Sequence, residues 1–385
     1  MMNTADGTAI QFIESAADFI ALQKQFSASR HIGLDTEFMR TNTFYPLLGL
    51  IQLADEQGCY LIDPLPLADR RDLTQFLNSQ AHILVFHSCS EDLNLLFTSL
   101  NAIPARVFDT QIAAAFLGLG FSLSYQALVN NLLGLDIPKD ETRSDWLKRP
   151  LSDTQKIYAA TDVCHLLELR ELLEDRLQER GVHQWFEQEC QQLLSVAQQS
   201  EAASSWETSY ANINNAWKLS DTGLRYLQQL CVWREQEARR RNKPRSWIAK
   251  DGDLLNISIA MSREKLPSLQ GLLAVNGADK LLLNRYANTI VALLSSPAIS
   301  STEINRQILN NPLSASSRNK LRECQQVVQA IANEYAIAPE LIGRKKIILE
   351  LVRGFEQHPK AGWPSGVGGW RRTLLEPVLT PILCG

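Results

Sequence analysis

The apolar positions of this chain change their period twice. Over the first 110 residues they come in short runs, HIGLDTEFM (31–39), LGLIQLAD (48–55) and GCYLID (58–63). Such runs predict β-strands, and their close spacing predicts an antiparallel meander with DEQG (55–58) as one of its turns. A helical pattern follows at about 67–78, then a strand HILVFH (82–87), a helix from about Glu91 to Leu100, and a short strand RVFD (106–109). From Asp109 onward the period is helical: DTQIAAAFLG, SLSYQALVNNLLG, and one long amphipathic stretch from about Ser152 to Arg180. A meander followed by alternating strands and helices predicts an α/β domain, a mixed sheet flanked by helices, over residues 1–195.

The stretch from about Gln191 to Asn215 is polar and rich in Ser, Ala and Gln. It predicts a partly helical linker, set at 196–215. Beyond it strand signals nearly vanish. Two all-helical domains are expected, 216–297 and 298–385, joined at SPAISSTEIN (296–305). No short-period repeat is present.

A length of 385 residues fits two or three domains, and 45% apolar with 21% charged residues is a globular composition. No apolar run reaches the roughly 18 residues a membrane span needs. The N-terminus, MMNTADGTAIQFIES, lacks a basic region followed by an apolar one, so no secretory signal is expected. The seven cysteines never form C-x-x-C, which argues against zinc and disulfide frameworks and for a reducing cytoplasm.

Charge is unevenly spread. Residues 1–215 hold 14 Lys/Arg against 28 Asp/Glu, residues 216–296 hold 13 against 7, and residues 297–385 hold 11 against 7. An acidic front is followed by a basic back, and basic regions attract polyanions such as nucleic acid.

Within the acidic front, Asp35 and Glu37 sit two apart in a strand, so both point to one face. Tyr158 and Asp162 are spaced i, i+4 on a helix and also share a face. Asp92 lies at the start of the helix after strand 82–87, where the helix dipole favours a carboxylate. Buried carboxylates side by side need a counter-charge, and hard divalent cations take oxygen ligands. Two such cations about 3.5–4 Å apart are a device for phosphodiester hydrolysis, and a nearby Tyr hydroxyl can hold the attacking water.

The ordered set DTE, HSCSEDL and YAATD resembles the tyrosine subclass of the DEDD 3′–5′ exonucleases. The segments GLDTEFMRTNTFYPLLGLIQLAD, VFHSCSEDL, FDTQIAAAFLG and RSDWLKRPLS resemble, more closely, the ribonuclease D family over roughly residues 10–210. The resemblance implies an RNase H-like fold, two divalent ions (Mg²⁺ or Mn²⁺), and stepwise release of nucleoside 5′-monophosphates from RNA 3′ ends. It implies Asp35, Glu37, Asp92 and Asp162 as metal ligands and Tyr158 as the residue orienting the nucleophilic water. WREQEARRRNKPRSWIAKDGDLLNIS is similar to an HRDC domain, a helical module that implies nucleic-acid binding. PELIGRKKIILELVRG with GWRRTLLEPVL resembles a second, more divergent copy.

Around these motifs, Phe38, Met39 and Gln52 are candidates for contact with the terminal nucleotide, against core packing. Trp146 and Arg149 are candidates for stacking on a base and holding a phosphate. Arg240, Arg241, Lys243 and Arg245, at a helix end broken by Pro244, are candidates for gripping the RNA body, although cations there also suit the helix dipole. Asp109 reads as a helix N-cap, His87 as a structural histidine, and Cys89 as core. The expectation is a monomeric, membrane-free cytoplasmic exoribonuclease acting on tRNA precursors and other structured RNAs with a free 3′ end. A DNA exonuclease and a non-catalytic RNA-binding protein on a nuclease fold remain the alternatives.

Overall fold

The computed structural model describes residues 2–4, 7–27, 29–67, 69–137, 144–264, 266–296, 304–357, 363–364 and 367–385. Its strands are β1 (Met2–Asn3), β2 (Ala9–Ile13), β3 (His31–Met39), β4 (Leu47–Asp55), β5 (Gly58–Ile62), β6 (Ile83–Phe86) and β7 (Val107–Asp109). They form one sheet in the order β1-β2-β5-β4-β3-β6-β7. The meander β3-β4-β5 is antiparallel as predicted, while β6 joins β3 in parallel and β7 joins β6 in parallel. β1 and β2 lie outside the predicted set and extend the sheet beyond β5. The mixed sheet has helices on its faces, so its central strands are apolar almost throughout: every residue of β4 from Leu48 to Ala54 is buried.

The accompanying helices are α1 (Ala16–Phe26), α2 (Arg71–Leu77), α3 (Ser90–Leu100), α4 (Thr110–Phe116), α5 (Tyr125–Leu133), α6 (Asp153–Cys164), α7 (Leu166–Glu179) and α8 (His183–Gln199). α6 packs across β3, β4 and β5. Gly33 permits this approach: a Cβ there would lie 3.3 Å from both the Leu166 Cβ and the Val163 carbonyl oxygen.

The stretch expected as one helix over 152–180 is two, broken at His165. The Tyr125 hydroxyl causes the break. It donates to the Thr161 carbonyl (3.1 Å) and accepts from the His165 N–H (3.2 Å), replacing the i to i−4 bond between them. A side chain inserted into the ladder in this way bends or interrupts a helix.

The predicted linker is mostly folded. α8 runs on to Gln199, α9 (Ser204–Glu207) follows, and Tyr210, Ala211, Ile213 and Ala216 are buried in a second core. The Ser/Ala/Gln average concealed these few apolar anchors. The second core joins them to α10 (Asp221–Arg241), α11 (Arg245–Ile248), α12 (Asp251–Met261), α13 (Leu269–Leu273) and α14 (Lys280–Ser295), through residues such as Leu227, Leu254 and Ile290.

The last helices are α15 (Ala315–Tyr335), α16 (Pro339–Gly343), α17 (Lys345–Gln357) and α18 (Gly369–Cys384). Their buried face, including Val328, Leu351 and Leu375, is continuous with the core of the sheet domain. Trp370 of α18 stacks on Trp185 of α8 (5.2 Å, 13° between planes), and Arg371 pairs with Glu189. The two helical segments therefore attach differently: one builds its own core, the other completes that of the sheet domain. No helix among the described residues is long and apolar enough to cross a membrane.

Candidate active site

The period-two alternation of β3 turns Asp35 and Glu37 to the face covered by α6. The third carboxylate comes from α6 itself. Ser152 caps that helix, accepting from the Gln155 N–H while the Gln155 side chain accepts from the Ser152 N–H. One carboxylate oxygen from each of Asp35, Glu37 and Asp162 lies within 4.8 Å of the others. Asp92, in the first turn of α3, stands beside this group and accepts a short hydrogen bond from the Thr36 hydroxyl. Thr36, between the two motif carboxylates, ties α3 to β3 through this bond. Its residue type gave no sign of that role in the sequence.

Asp35 and Glu37 keep some surface open, yet their carboxyl groups are desolvated. Burial, then the charges of Asp92, Asp162 and Glu37, push Asp35 well above its ordinary value. Burial followed by Asp162 and Asp92 raises Glu37 to about 9. Burial lifts Asp92 to about 6 against the pull of the Thr36 bond, and lifts Asp162 to about 7 against that of Tyr158. Four carboxyl groups raised by burial, two of them (Asp35 and Glu37) raised further by the charges of Asp92 and Asp162, form an all-oxygen donor set lacking positive charge, which fits hard divalent cations. The Tyr158 hydroxyl bonds Asp162, and burial with the Asp162 and Glu37 charges pushes its own pKa upward, keeping it a neutral O–H donor.

Of the other predicted residues, Phe38 and Met39 directly follow Glu37, while Gln52, Trp146 and Arg149 are taken up by the protein itself. Phe38 and Met39 are half-buried at the end of β3, with Arg40 5.9 Å over the Phe38 ring and 4.0 Å from Glu91. Arg40 is a cation at the rim that the motif reading passed over. Gln52 pairs in register with Asp35, so it shares its face, but it is wholly buried and cannot reach a nucleotide. Its amide has no hydrogen-bond partner among the described residues.

Trp146 and Arg149 are likewise occupied within the protein. Register slips between Glu37 and Phe38, leaving Gly49 as the extra residue opposite, and Trp146 packs onto it so closely that a Cβ there would lie 2.7 Å from the Trp146 carbonyl oxygen. Trp146 is thus buried. Arg149 spends its guanidinium on Asp63 (2.8 Å), the Gly49 carbonyl (2.7 Å) and the Trp146 carbonyl (2.8 Å). Neither presents a stacking face or a free fork to substrate. Asp109 caps α4, the His87 ring bonds Thr110 and the Leu123 carbonyl, and Cys89 is core with its thiol pushed up by burial.

The loop 40–46, which leaves the site from β3, meets the first helical segment. Asn242 ends α10 in the left-handed conformation (φ 47°), and its Oδ1 accepts from the N–H groups of Phe44 and Tyr45 (both 3.0 Å). The Tyr45 hydroxyl donates to Glu201 (2.8 Å). Phe44 packs against the second core with the guanidinium groups of Arg239 and Arg245 at 4.4 and 4.7 Å from its ring. Much of the basic run is used internally: Arg239 pairs with Glu201 and Glu235, Arg240 with Glu237, Arg245 with Glu235, and Arg241 donates to the Tyr286 hydroxyl. Arg240 and Arg245 still keep 70% and 51% of their side-chain surface exposed.

A family model described as 3′–5′ exonuclease matches residues 10–178, and an HRDC domain model matches residues 224–294. Ribonuclease D of Pseudomonas paraeruginosa is 33% identical over 374 residues, covering 97% of either chain. Ribonuclease D of Serratia proteamaculans is 31% identical over 382 residues, covering 97% of this chain and 99% of the other. Among solved structures, Escherichia coli RNase D, an exoribonuclease involved in structured RNA processing, is similar with a TM-score of 0.84 and 29% identity, covering 97% of this chain and 98% of that one.

Proposed function

The chain belongs to the ribonuclease D family, and from that premise we propose how its parts remove nucleotides from RNA 3′ ends. It is a 3′–5′ exoribonuclease with an RNase H-like exonuclease domain and an HRDC domain. The convergence of Asp35, Glu37 and Asp162 carries the mechanistic reading.

With Asp92 beside them, these carboxylates would hold two divalent ions, Mg²⁺ or Mn²⁺. When bound, such ions supply Lewis-acid stabilisation of the phosphate and an acidified water. Tyr158, neutral and anchored to Asp162, orients the attacking water through its hydroxyl. Phe38 and Met39 contact the terminal nucleotide, and release is as nucleoside 5′-monophosphates. We read residues 1–195 as the catalytic domain, 216–297 as the HRDC domain, and 298–385 as a second HRDC-like unit that has become part of the catalytic domain's core. The exposed cations Arg240 and Arg245, with the half-buried Lys243, favour contact with the RNA body. We read Arg241 as secondary because Tyr286 engages it.

tRNA precursors are the substrates this reading puts first, the protein working as a cytoplasmic monomer. The seven cysteines, none of them in a disulfide, suit a reducing compartment. The test is Asp35→Asn assayed with Mg²⁺ on a 3′-extended tRNA: trimming should be lost, and near wild-type trimming refutes the metal assignment. Matched RNA and DNA oligonucleotides, with RNA degraded faster, test the choice of polymer.

A further inference from the structure

Among the described residues Trp247 is the most exposed aromatic residue, at 59%. Single exposed apolar residues are ordinary on protein surfaces, but the setting of this one is not. It sits on α11, a stub held from both ends. The Trp247 N–H bonds the Pro244 carbonyl (2.9 Å), Ile248 and Ala249 are buried next to it, and Arg245 is tied to Glu235. The backbone that carries the ring is therefore tied down at the surface. The Lys243 ammonium lies 5.7 Å from its centre and 3.4 Å from the Asn42 carbonyl oxygen. Asn42 belongs to the loop that leaves Glu37, and five residues of chain span at most about 18 Å. An exposed indole with a cation at its side thus borders the loop that leaves the carboxylate site, and Asn242 holds that loop to the first helical segment.

Aromatic faces beside cations are how proteins hold single-stranded nucleic acid without reading its sequence, because every base offers a π-face and every linkage a phosphate. We propose that Trp247 is a stacking platform for an unpaired base of the RNA, a few nucleotides 5′ of the end held at the carboxylates, with Lys243 on the adjoining phosphate. This rests on the exoribonuclease reading above. The platform favours 3′ ends that carry a single-stranded stretch long enough to span from the carboxylates to α11, and it grips the strand as successive nucleotides are removed.

The test is steady-state kinetics with Mg²⁺ on a single-stranded RNA of roughly twelve nucleotides, comparing wild type, Trp247→Ala and Trp247→Phe. Loss of one stacked base raises KM about five- to 150-fold in Trp247→Ala. kcat stays in place, and Trp247→Phe, which keeps an aromatic face, recovers most of the affinity. Lys243→Ala weakens binding and flattens its salt dependence. An unchanged KM in Trp247→Ala, equal losses in the Ala and Phe variants, or a fall in kcat alone overturns the platform while leaving the exonuclease reading intact. A wild type that releases no mononucleotide from RNA overturns that reading and the platform with it.

Discussion

Replacing Asp162 with Asn should silence the enzyme and, with metal removed, make the protein more stable. Burial holds the Asp162 carboxyl at about 7 in the folded chain against an ordinary 3.8, although the Tyr158 O–H bond pulls it down. Because the folded value is the higher one, folding disfavours the ion. The cost is absent below about pH 4, grows as pH rises, and is complete above about pH 7. At about 1.4 kcal/mol per pH unit this is on the order of 4 kcal/mol at alkaline pH. Asn has nearly the same volume, carries no charge, and still accepts the Tyr158 bond through its carbonyl. For a cooperative unit of roughly 150–250 residues each kcal/mol moves the melting temperature by about 2–4 °C. The variant should therefore melt about 5–15 °C above wild type in EDTA at about pH 8. Near pH 5 the gap should shrink to under about half, since most of the cost has gone. Adding Mg²⁺ should stabilise wild type more than the variant and narrow the gap from the other side. Thermal melts in those buffers, with an RNA-trimming assay alongside, decide it. A variant that melts at or below wild type in EDTA at about pH 8 refutes the picture of a carboxylate cluster strained for want of positive charge.

Tyr158→Phe should lower kcat by about 10²- to 10⁴-fold with little change in KM, and a calorimetric Mg²⁺ titration should be unaltered, because the hydroxyl acts on water rather than on metal. Tyr125→Phe removes the hydroxyl that bridges Thr161 and His165, leaving two buried backbone groups to re-pair. Urea unfolding should show a loss of about 1–3 kcal/mol, with a fall in kcat as Asp162 shifts, and unchanged values would mean the helices close without it. Asn242→Gly keeps the left-handed conformation but removes the acceptor for Phe44 and Tyr45. Hydrogen exchange at those two amides should speed up about five- to 150-fold while β3 stays protected.

Most of the sheet, and which motif side chains share a face, were legible in the sequence because their signals are local. A period of two sets the faces of a strand, so Asp35 and Glu37 had to share one. A period near 3.6 sets the faces of a helix, so Tyr158 and Asp162 did too. The misreadings share a cause in distant partners. Arg149 has the right chemistry for a phosphate, but Asp63, 86 residues earlier, occupies its guanidinium. The basic run at 239–245 suggested free charge, but Glu201, Glu235 and Glu237 consume much of it. The polar stretch at 196–215 averaged away Tyr210 and Ile213, which anchor it in the second core.

Backbone geometry dictates periodicity residue by residue, so the sequence was enough to assign the motif side chains to a face of their strand or helix and to name the chemistry they could perform. How closely the faces meet, and therefore which groups remain available, was settled by packing between distant segments. It brought carboxylates from β3 and α6 within 4.8 Å and set Asp92 beside them. It broke one predicted helix at His165 with a hydroxyl from Tyr125, and it left Trp247 bare beside the loop from the active site. Each of these outcomes turns on a contact between residues far apart in the chain, and such contacts are set by packing and leave no periodic trace in the sequence.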